Sequence, residues 1–124
     1  MLFRSEEKIK LILRSPVMFD LASSELKPEA EPILSTILEP LKNTSNDIVV
    51  EGHTDSTGAR DHNMMLSQAR AQYVMNFLVS RGIPAEAISA IGIGPDRPIA
   101  DNSTRDGRTE NRRVEIIVKP VAHR

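Results

Sequence analysis

An apolar strand that leads through a polar turn into a long helix constrains this fold more than any other sequence feature. Residues 48–50 are apolar and residues 51–58 are polar. The predicted helix has one face whose residues are spaced four apart: Leu66, Arg70, Val74 and Leu78. Burying the charge of Arg70 on that face costs free energy unless it is paired. The arginine is also expected within two turns of the helix start, where the macrodipole disfavours positive charge.

Asp55 lies in the polar turn, fifteen residues before Arg70, and is the natural acidic partner for this arginine. One interpretation is a structural ion pair that holds the turn against the helix. The other is a pair of charges that together bind a ligand that is itself both cationic and anionic. The spacing alone leaves both interpretations open.

Patterns along the rest of the chain predict an α+β fold of order β-α-β-α-β-β. Strands are predicted at about 9–13, 48–52, 88–93 and 114–118, and helices from Pro28 to about 41 and from about 63 to 81. Pro16 is expected to kink the first strand or to lie at an edge, and 94–108 is expected to be a long loop. We therefore expect helices packed on one face of a small mixed four-stranded sheet.

The last predicted strand separates two neighbouring arginines. Arg112 shares a face with Val114, Ile116 and Val118, so it is expected at the edge of the core side. Arg113 falls on the other, more polar face and is expected to be solvated. Arg112 is therefore the better candidate for a functional site.

Composition excludes several classes of function. The chain has 124 residues, enough for one domain, and its 16 basic and 17 acidic residues nearly balance, which argues against nucleic-acid binding. It has no cysteine, which excludes disulfides and thiol chemistry. No apolar run approaches the roughly 20 residues of a membrane-spanning helix, and residues 1–14 lack a signal-peptide core. If the natural protein is exported, we expect this chain to be a fragment or a mature form.

An ordered set of motifs runs through most of the chain: Phe19-Asp20, Gly52-His53-Thr54-Asp55 with Gly58, Asn63, Leu66-Ser67, Arg70-Ala71, Gly82-Ile83, Gly92 with Gly94, Pro98, Asn102 and Asn111 to Ile116. This set resembles the OmpA-like C-terminal domain, a family that includes peptidoglycan-associated lipoproteins and the periplasmic domains of flagellar stator B proteins. The resemblance covers 17–118. It divides the chain into an N-terminal extension or strand at 1–15, the domain at 16–119 and a tail at 120–124.

This resemblance implies a non-catalytic domain without a cofactor that binds peptidoglycan in the periplasm. The bound group would be the diaminopimelate of the stem peptide. The domain would anchor a larger cell-envelope protein, which would be associated with the outer membrane through parts absent from this chain. The role of residues 1–15 is open, and a homodimer contact is one of the alternatives.

The resemblance also implies roles for individual residues. Asp55 would bind the ammonium of diaminopimelate, and Arg70 would bind its carboxylate as a planar fork. Asn63, expected at the helix start, would cap the helix and reach the ligand.

Four further residues would complete the site by resemblance. Asp20 and Arg112 would form its rim, while Thr54 and Leu66 would contribute backbone and packing contacts. Two of these assignments have structural alternatives, because Asp20 could be a turn former and Arg112 an arginine satisfied at the sheet edge.

An alternative of a different class is a metal-dependent hydrolase. His53 and Asp55 alternate at the strand exit and His62 lies nearby in sequence, so the three could be imagined as metal ligands. Against this, the chain has no HExxH motif and no second histidine at helical spacing from the first. The wall-binding hypothesis is therefore preferred.

Overall fold

A mixed four-stranded sheet forms the frame of the protein in a computed structural model that describes residues 9–42 and 47–119. The strands are β1 (Ile9–Arg14), β2 (Asp47–His53), β3 (Ile88–Gly94) and β4 (Arg113–Lys119). Their spatial order is β1-β4-β2-β3; β4 is antiparallel to both of its neighbours, and β2 and β3 are parallel. The predicted α+β class with a mixed sheet of four strands is confirmed.

The helices are α1 (Ser15–Met18), α2 (Ala30–Lys42), α3 (Arg60–Ser80) and α4 (Arg105–Asn111), with a short 3-10 turn at Ala85–Ala87. The two long helices bury their apolar residues against one face of the sheet. The resulting core contains Leu34, Leu38 and Leu41 of α2, Ala71, Val74 and Leu78 of α3, and Ile48, Val50, Val114 and Ile116 of the central strands. None of the helices among the described residues is long and apolar enough to cross a membrane.

Helix α3 lies very close to β2 and β3 because two glycines make room for it. A Cβ atom on Gly52 would collide with the backbone carbonyl of Ser67, and one on Gly92 would lie 2.5 Å from the backbone nitrogen of Gln68. The Ser67 hydroxyl also accepts a hydrogen bond from the backbone N–H of Gly94, at 3.0 Å. This contact fixes the position of α3 one turn before Arg70.

Two short helices were not predicted. Pro16 does not kink the strand or lie in it, since it falls in the first turn of α1, where its missing N–H costs nothing. Helix α4 occupies part of the predicted loop 94–108, and its N-cap Thr104 accepts a hydrogen bond from the N–H of Gly107, at 2.9 Å. Neither helix is long enough to show an apolar period.

The start of α3 differs from the prediction. The helix begins at Arg60, so Arg70 lies almost three turns into it and not within the first two. The predicted tail at 120–124, residues 1–8 and most of the predicted turn at 43–47 lie outside the described residues.

Candidate functional site

A cavity of about 340 Å³ opens where α1, the loop after it and α3 meet the end of α4. Two predicted residues from different helices, Arg70 of α3 and Arg112 at the end of α4, line it together with Asp20. The other lining residues include Ser15, Phe19 and Lys27. The lining therefore includes three cationic side chains, those of Lys27, Arg70 and Arg112, and one acidic side chain, that of Asp20.

Arg70 is buried in the cavity wall, with 6% of the residue exposed, and forms no ion pair with any described residue. Its Nε donates to the carbonyl of Ser23 at 2.8 Å and its Nη2 to that of Asp20 at 3.3 Å. The guanidinium also lies over the ring of Phe19, 4.9 Å from the centroid. Burial, and then the charge of Arg112, lower the pKa of Arg70, yet an arginine remains protonated in a protein.

The loop that Arg70 holds has a constrained backbone. Ala22 has a φ of 60°, in the left-handed region that residues with a Cβ rarely adopt. The N–H of Ser23 donates to the carbonyl of Asp20 at 3.0 Å, which closes the turn. Because Arg70 binds both ends of this turn, it fixes the backbone beside the cavity as well as carrying a charge there.

Asp55 forms its ion pair with Arg112 and not with Arg70. The distance from Asp55 Oδ2 to Arg112 Nη1 is 2.6 Å, and Asp55 Oδ1 accepts the N–H of Thr57 at 2.8 Å. Burial alone would raise the pKa of Asp55, but the hydrogen bonds from Thr57 and Arg112 outweigh it and lower the pKa. Of the two interpretations of Asp55 and Arg70, the structural ion pair between them is therefore wrong, because Arg112 at the end of α4 is the cation that Asp55 binds.

Two of the predicted residues, Thr54 and Asn63, shape the turn that carries Asp55. The Thr54 hydroxyl donates to the Asp55 carbonyl at 2.8 Å, and Asn63 Nδ2 donates to the Thr57 carbonyl at 2.9 Å. Asn63 is not the helix cap, because the N-cap position is Ala59. Leu66 is half-buried and is not among the cavity-lining residues.

Helix α4 and the segment before it place Arg112 beside Asp55. Asn111 is fully buried: its Oδ1 accepts the N–H groups of Ile99 and Ala100, and its Nδ2 donates to the Ala100 carbonyl and to Asn102 Oδ1. Arg112 follows directly as the C-cap residue of α4, and its Nη2 donates to the Thr109 hydroxyl at 3.1 Å. The site-forming role of this region depends on a helix that the sequence did not predict.

Arg113 is buried and not solvated, which contradicts the expectation for it. On the sheet face away from α2 and α3, its Nε lies 2.6 Å from Glu115 Oε2, and its remaining nitrogens donate to the carbonyls of Asn111 and Arg97. Glu51 faces Glu115 across the two central strands, and His53 Nε2 is 3.0 Å from Glu51 Oε1. We call these four residues, Glu51, His53, Arg113 and Glu115, the polar cluster.

The structure does not bring together the metal ligands imagined for a hydrolase. His53 belongs to the polar cluster, Asp55 is bonded to Arg112, and His62 is exposed. Among the described residues, the donor atoms near enough to share an ion are those of Glu51, His53 and Glu115. Their carboxylates already bind cations, namely Arg113 at 2.6 Å, Lys10 at 3.3 Å and Arg97 at 3.5 Å. The hydrolase alternative is therefore not supported.

Three cavity residues were not assigned to the site from sequence. Phe19 belongs to a recognised motif, but its position beneath Arg70 depends on the fold. Lys27 is a single lysine in a polar stretch, and Ser15 precedes the recognised motifs, so neither had a signal in the sequence. Lys27 Nζ donates to the Pro16 carbonyl at 3.2 Å, which joins the two sides of the cavity entrance.

The comparisons with known proteins agree with this architecture. The model of the OmpA family matches residues 18–112. The chain belongs to the OmpA family. The resemblance seen in the sequence is thus confirmed, and the matched region begins just after Ser15.

The relatives and solved structures that the chain resembles include two lipoproteins and a cell wall anchor. It is 44% identical to the probable lipoprotein YiaD of Escherichia coli over 95% of this chain and 54% of that protein. It is 38% identical to the peptidoglycan-associated lipoprotein of Pseudomonas aeruginosa over 79% of this chain and 58% of that protein. The structure of the cell wall anchor of the T6SS from Pseudomonas aeruginosa matches with a TM-score of 0.85 and 32% identity, over 92% of this chain and 82% of that one. The chain thus spans about half the length of these two curated relatives.

Proposed function

We propose that this domain binds peptidoglycan non-covalently in the periplasm and anchors a larger cell-envelope protein to the wall. The names of two similar proteins support this, since one is a peptidoglycan-associated lipoprotein and another is described as a cell wall anchor. Within a longer protein, association with the outer membrane would come from parts other than this domain.

The observation that carries the proposal is the state of Arg70. A buried guanidinium with no acidic partner among the described residues faces a cavity that a second guanidinium, Arg112, also lines. Asp55 balances the charge of Arg112, but none of the described acids forms an ion pair with Arg70. An anion that enters beside Arg70 is therefore stabilised by a buried cation whose charge is not yet balanced. The cavity therefore favours a carboxylate ligand.

The hydrogen bonds of Arg70 leave it able to bind that carboxylate. An arginine has five N–H donors, and the loop carbonyls of Asp20 and Ser23 use two of them. Because Nη1 makes no hydrogen bond with the described residues, the Nη1–Nη2 end of the fork remains for a bidentate contact. The loop thus orients the guanidinium without occupying all of it.

We propose diaminopimelate of the stem peptide as the bound group, because its free end carries an ammonium beside a carboxylate. Arg70 would bind the carboxylate and Asp55 the ammonium, with Asp20 and Arg112 at the rim. A carboxylate has about four acceptor positions, and Thr57 and Arg112 use one on each oxygen of Asp55. Asp55 would share its charge between Arg112 and the ligand.

The turn beside Asp55 supports this assignment. Thr54 and Asn63 hold the backbone of the turn through its carbonyl groups, so they would orient Asp55 toward the ligand. Leu66 would pack behind them on α3. Each charge-assisted hydrogen bond contributes only about 1.5–3 kcal/mol, so one stem peptide would bind weakly and the repeated wall polymer would supply avidity.

We further propose that the domain binds without catalysis. The described lining of the cavity contains two guanidinium groups, a lysine and Asp20, but no histidine, and the other acid of the proposed site, Asp55, is already bonded to Thr57 and Arg112. Such a lining holds an anion in place and does not activate water.

Co-sedimentation with purified sacculi that contain diaminopimelate tests the proposal. We expect the wild-type domain to sediment with sacculi in the presence of a chelator, and Arg70→Ala and Asp55→Ala to remain in the supernatant. Arg97→Ala is the control, because this exposed arginine lies on the other face of the sheet and does not line the cavity. Wild-type binding by folded Arg70→Ala and Asp55→Ala proteins would contradict the proposed site.

A further inference from the structure

Ser15 is a buried polar residue in the cavity wall that the proposed site does not yet use. Only 3% of the residue is exposed, and it lines the cavity together with Arg70 and Arg112. Its hydroxyl makes no hydrogen bond with any residue that the structure describes. Buried hydroxyl groups in folded proteins almost always have a hydrogen-bond partner, so this oxygen requires an explanation.

The backbone of Ser15 is fixed while its hydroxyl is not. Its N–H donates to the carbonyl of Arg112 at 2.8 Å, and its carbonyl accepts the N–H of Phe19 at 2.7 Å. The next residue, Pro16, restricts the chain further. The hydroxyl itself can turn about the Cα–Cβ bond among three staggered positions, so a group in the cavity can become its partner.

The surroundings of Ser15 define the chemistry of that partner. Three cations, Arg70, Arg112 and Lys27, line the cavity with one acid, Asp20. Even with Asp55 paired to Arg112, the surroundings keep a net positive charge that favours an anion. A hydroxyl that donates to a carboxylate forms a short, charge-assisted hydrogen bond. The two arginines offer donors alone, so a carboxamide would have to turn its own NH₂ group away from both of them.

We propose that the Ser15 hydroxyl donates to the ligand carboxylate that Arg70 holds. Ser15, Arg70 and Arg112 then form a subsite that selects a free carboxylate over the corresponding carboxamide. This inference rests on the proposed function, which supplies the carboxylate. It extends the site to a residue outside the matched region 18–112.

Calorimetric titration with two soluble stem peptides tests the subsite. One peptide contains diaminopimelate with its free carboxylate, and the other has that carboxylate converted to the carboxamide. We expect Ser15→Ala to bind the carboxylate peptide about tenfold more weakly than wild type, because one charge-assisted hydrogen bond is lost. We expect the affinity of Ser15→Ala for the carboxamide peptide to change less than twofold. The ratio of the affinities for the carboxylate and carboxamide peptides should therefore be smaller in Ser15→Ala than in wild type.

Two further variants make the result specific. Ser15→Cys keeps the approximate volume but replaces the hydroxyl with a weak donor, so it should show the same loss if Ser15→Ala folds poorly. Ser56→Ala is the matched control, because this exposed serine lies in the turn after Asp55 and does not line the cavity. It should bind both peptides like wild type.

The outcomes separate this inference from the proposed function. If folded Ser15→Ala and Ser15→Cys bind the carboxylate peptide as tightly as wild type while Arg70→Ala does not bind it, the role of Ser15 is wrong and the proposed function stands. If Arg70→Ala also binds like wild type, the proposed function fails, and the inference about Ser15 fails with it.

Discussion

Arg70 and Arg113 are both buried arginines, but they differ in whether a carboxylate balances their charge. Arg113 lies in the polar cluster, 2.6 Å from a buried carboxylate of Glu115, and two backbone carbonyls accept its other donors. Arg70 borders a cavity, and among the described residues it contacts loop carbonyls and the ring of Phe19 but forms no ion pair with a carboxylate. Burial of a cation is therefore not by itself a sign of function; the distinguishing feature is whether its charge is already matched.

The largest effect expected from this comparison is on stability, when the matched arginine is removed. Arg113→Ala leaves Glu115 buried beside Glu51 without its principal cation, so we expect the free energy of unfolding to fall by about 3–5 kcal/mol. Urea unfolding measures it. Arg97→Ala is the control and should cost less than about 1 kcal/mol, because Arg97 is exposed. A loss below about 1 kcal/mol in Arg113→Ala would show that Arg113 is not the charge that balances the cluster.

The unmatched arginine should show its effect in binding. Arg70→Lys keeps the positive charge but loses the planar fork, so we expect binding to the carboxylate stem peptide to fall by about tenfold or more, which corresponds to about 1.4 kcal/mol. The unfolding curve should still show one cooperative transition. Calorimetric titration and urea unfolding measure the two quantities. If the affinity is unchanged, Arg70 contributes charge alone and bidentate recognition is excluded.

The polar cluster should also make stability depend on pH through His53. Burial, and then the charge of Arg113, lower the pKa of His53 from its ordinary value of 6.5. As the pH falls below about 6.5, the unfolded chain takes up a proton that the folded protein does not, so stability falls with pH. One such group changes stability by at most about 1.4 kcal/mol per pH unit.

Urea unfolding at pH 7.5 and pH 5.5 tests this dependence. The wild-type protein should lose more stability between these pH values than His53→Gln, which has no proton to gain at that position. Glu115 and Asp55 do not contribute to the change between pH 7.5 and pH 5.5, because the pKa of Glu115 is lowered from 4.5 and that of Asp55 from 3.8. Their stabilisation is lost only at lower pH. A smaller loss in wild type than in His53→Gln would mean that the cluster favours the protonated ring.

The smallest effect on stability is expected at an ion pair that lies outside both the cavity and the polar cluster. Arg60, at the start of α3, pairs with Asp96, and both side chains are about half exposed. Water screens such a pair, so Asp96→Asn should change the free energy of unfolding by no more than about 1 kcal/mol and leave sacculus binding unchanged. Urea unfolding and co-sedimentation check both. A larger loss would show that this exposed pair, and not burial, governs electrostatic stability here.

The sequence predicts the frame of the fold well, because long periodic segments carry their own signal. The face of α3 with Arg70, Val74 and Leu78 is buried as its spacing indicates. The four strands lie close to their predicted positions. Apolar periodicity records burial, and burial of these segments is what builds the core.

The sequence predicts less of the site, because its partners depend on short elements and on the path of the chain. Arg112 reaches Asp55 through α4, whose seven residues carry no apolar period. Arg113 is buried because β4 is a central strand and the loop near Arg97 covers its outer face. Ser15 enters the cavity through a single helical turn. Alternation along one strand cannot reveal what lies above its second face.

The antiparallel pairing of β1 with β4 has a mechanical consequence. Ile9 begins β1 opposite Val118, and Arg14 ends it beside Ser15, where the cavity starts. A pull between the first residue of β1 and a ligand held in the cavity therefore acts along a strand about 20 Å long. Such a force shears the hydrogen bonds between β1 and β4 together, whereas a force across the strand would open them one at a time. The edge strand is thus oriented to resist a force that acts between Ile9 and the cavity.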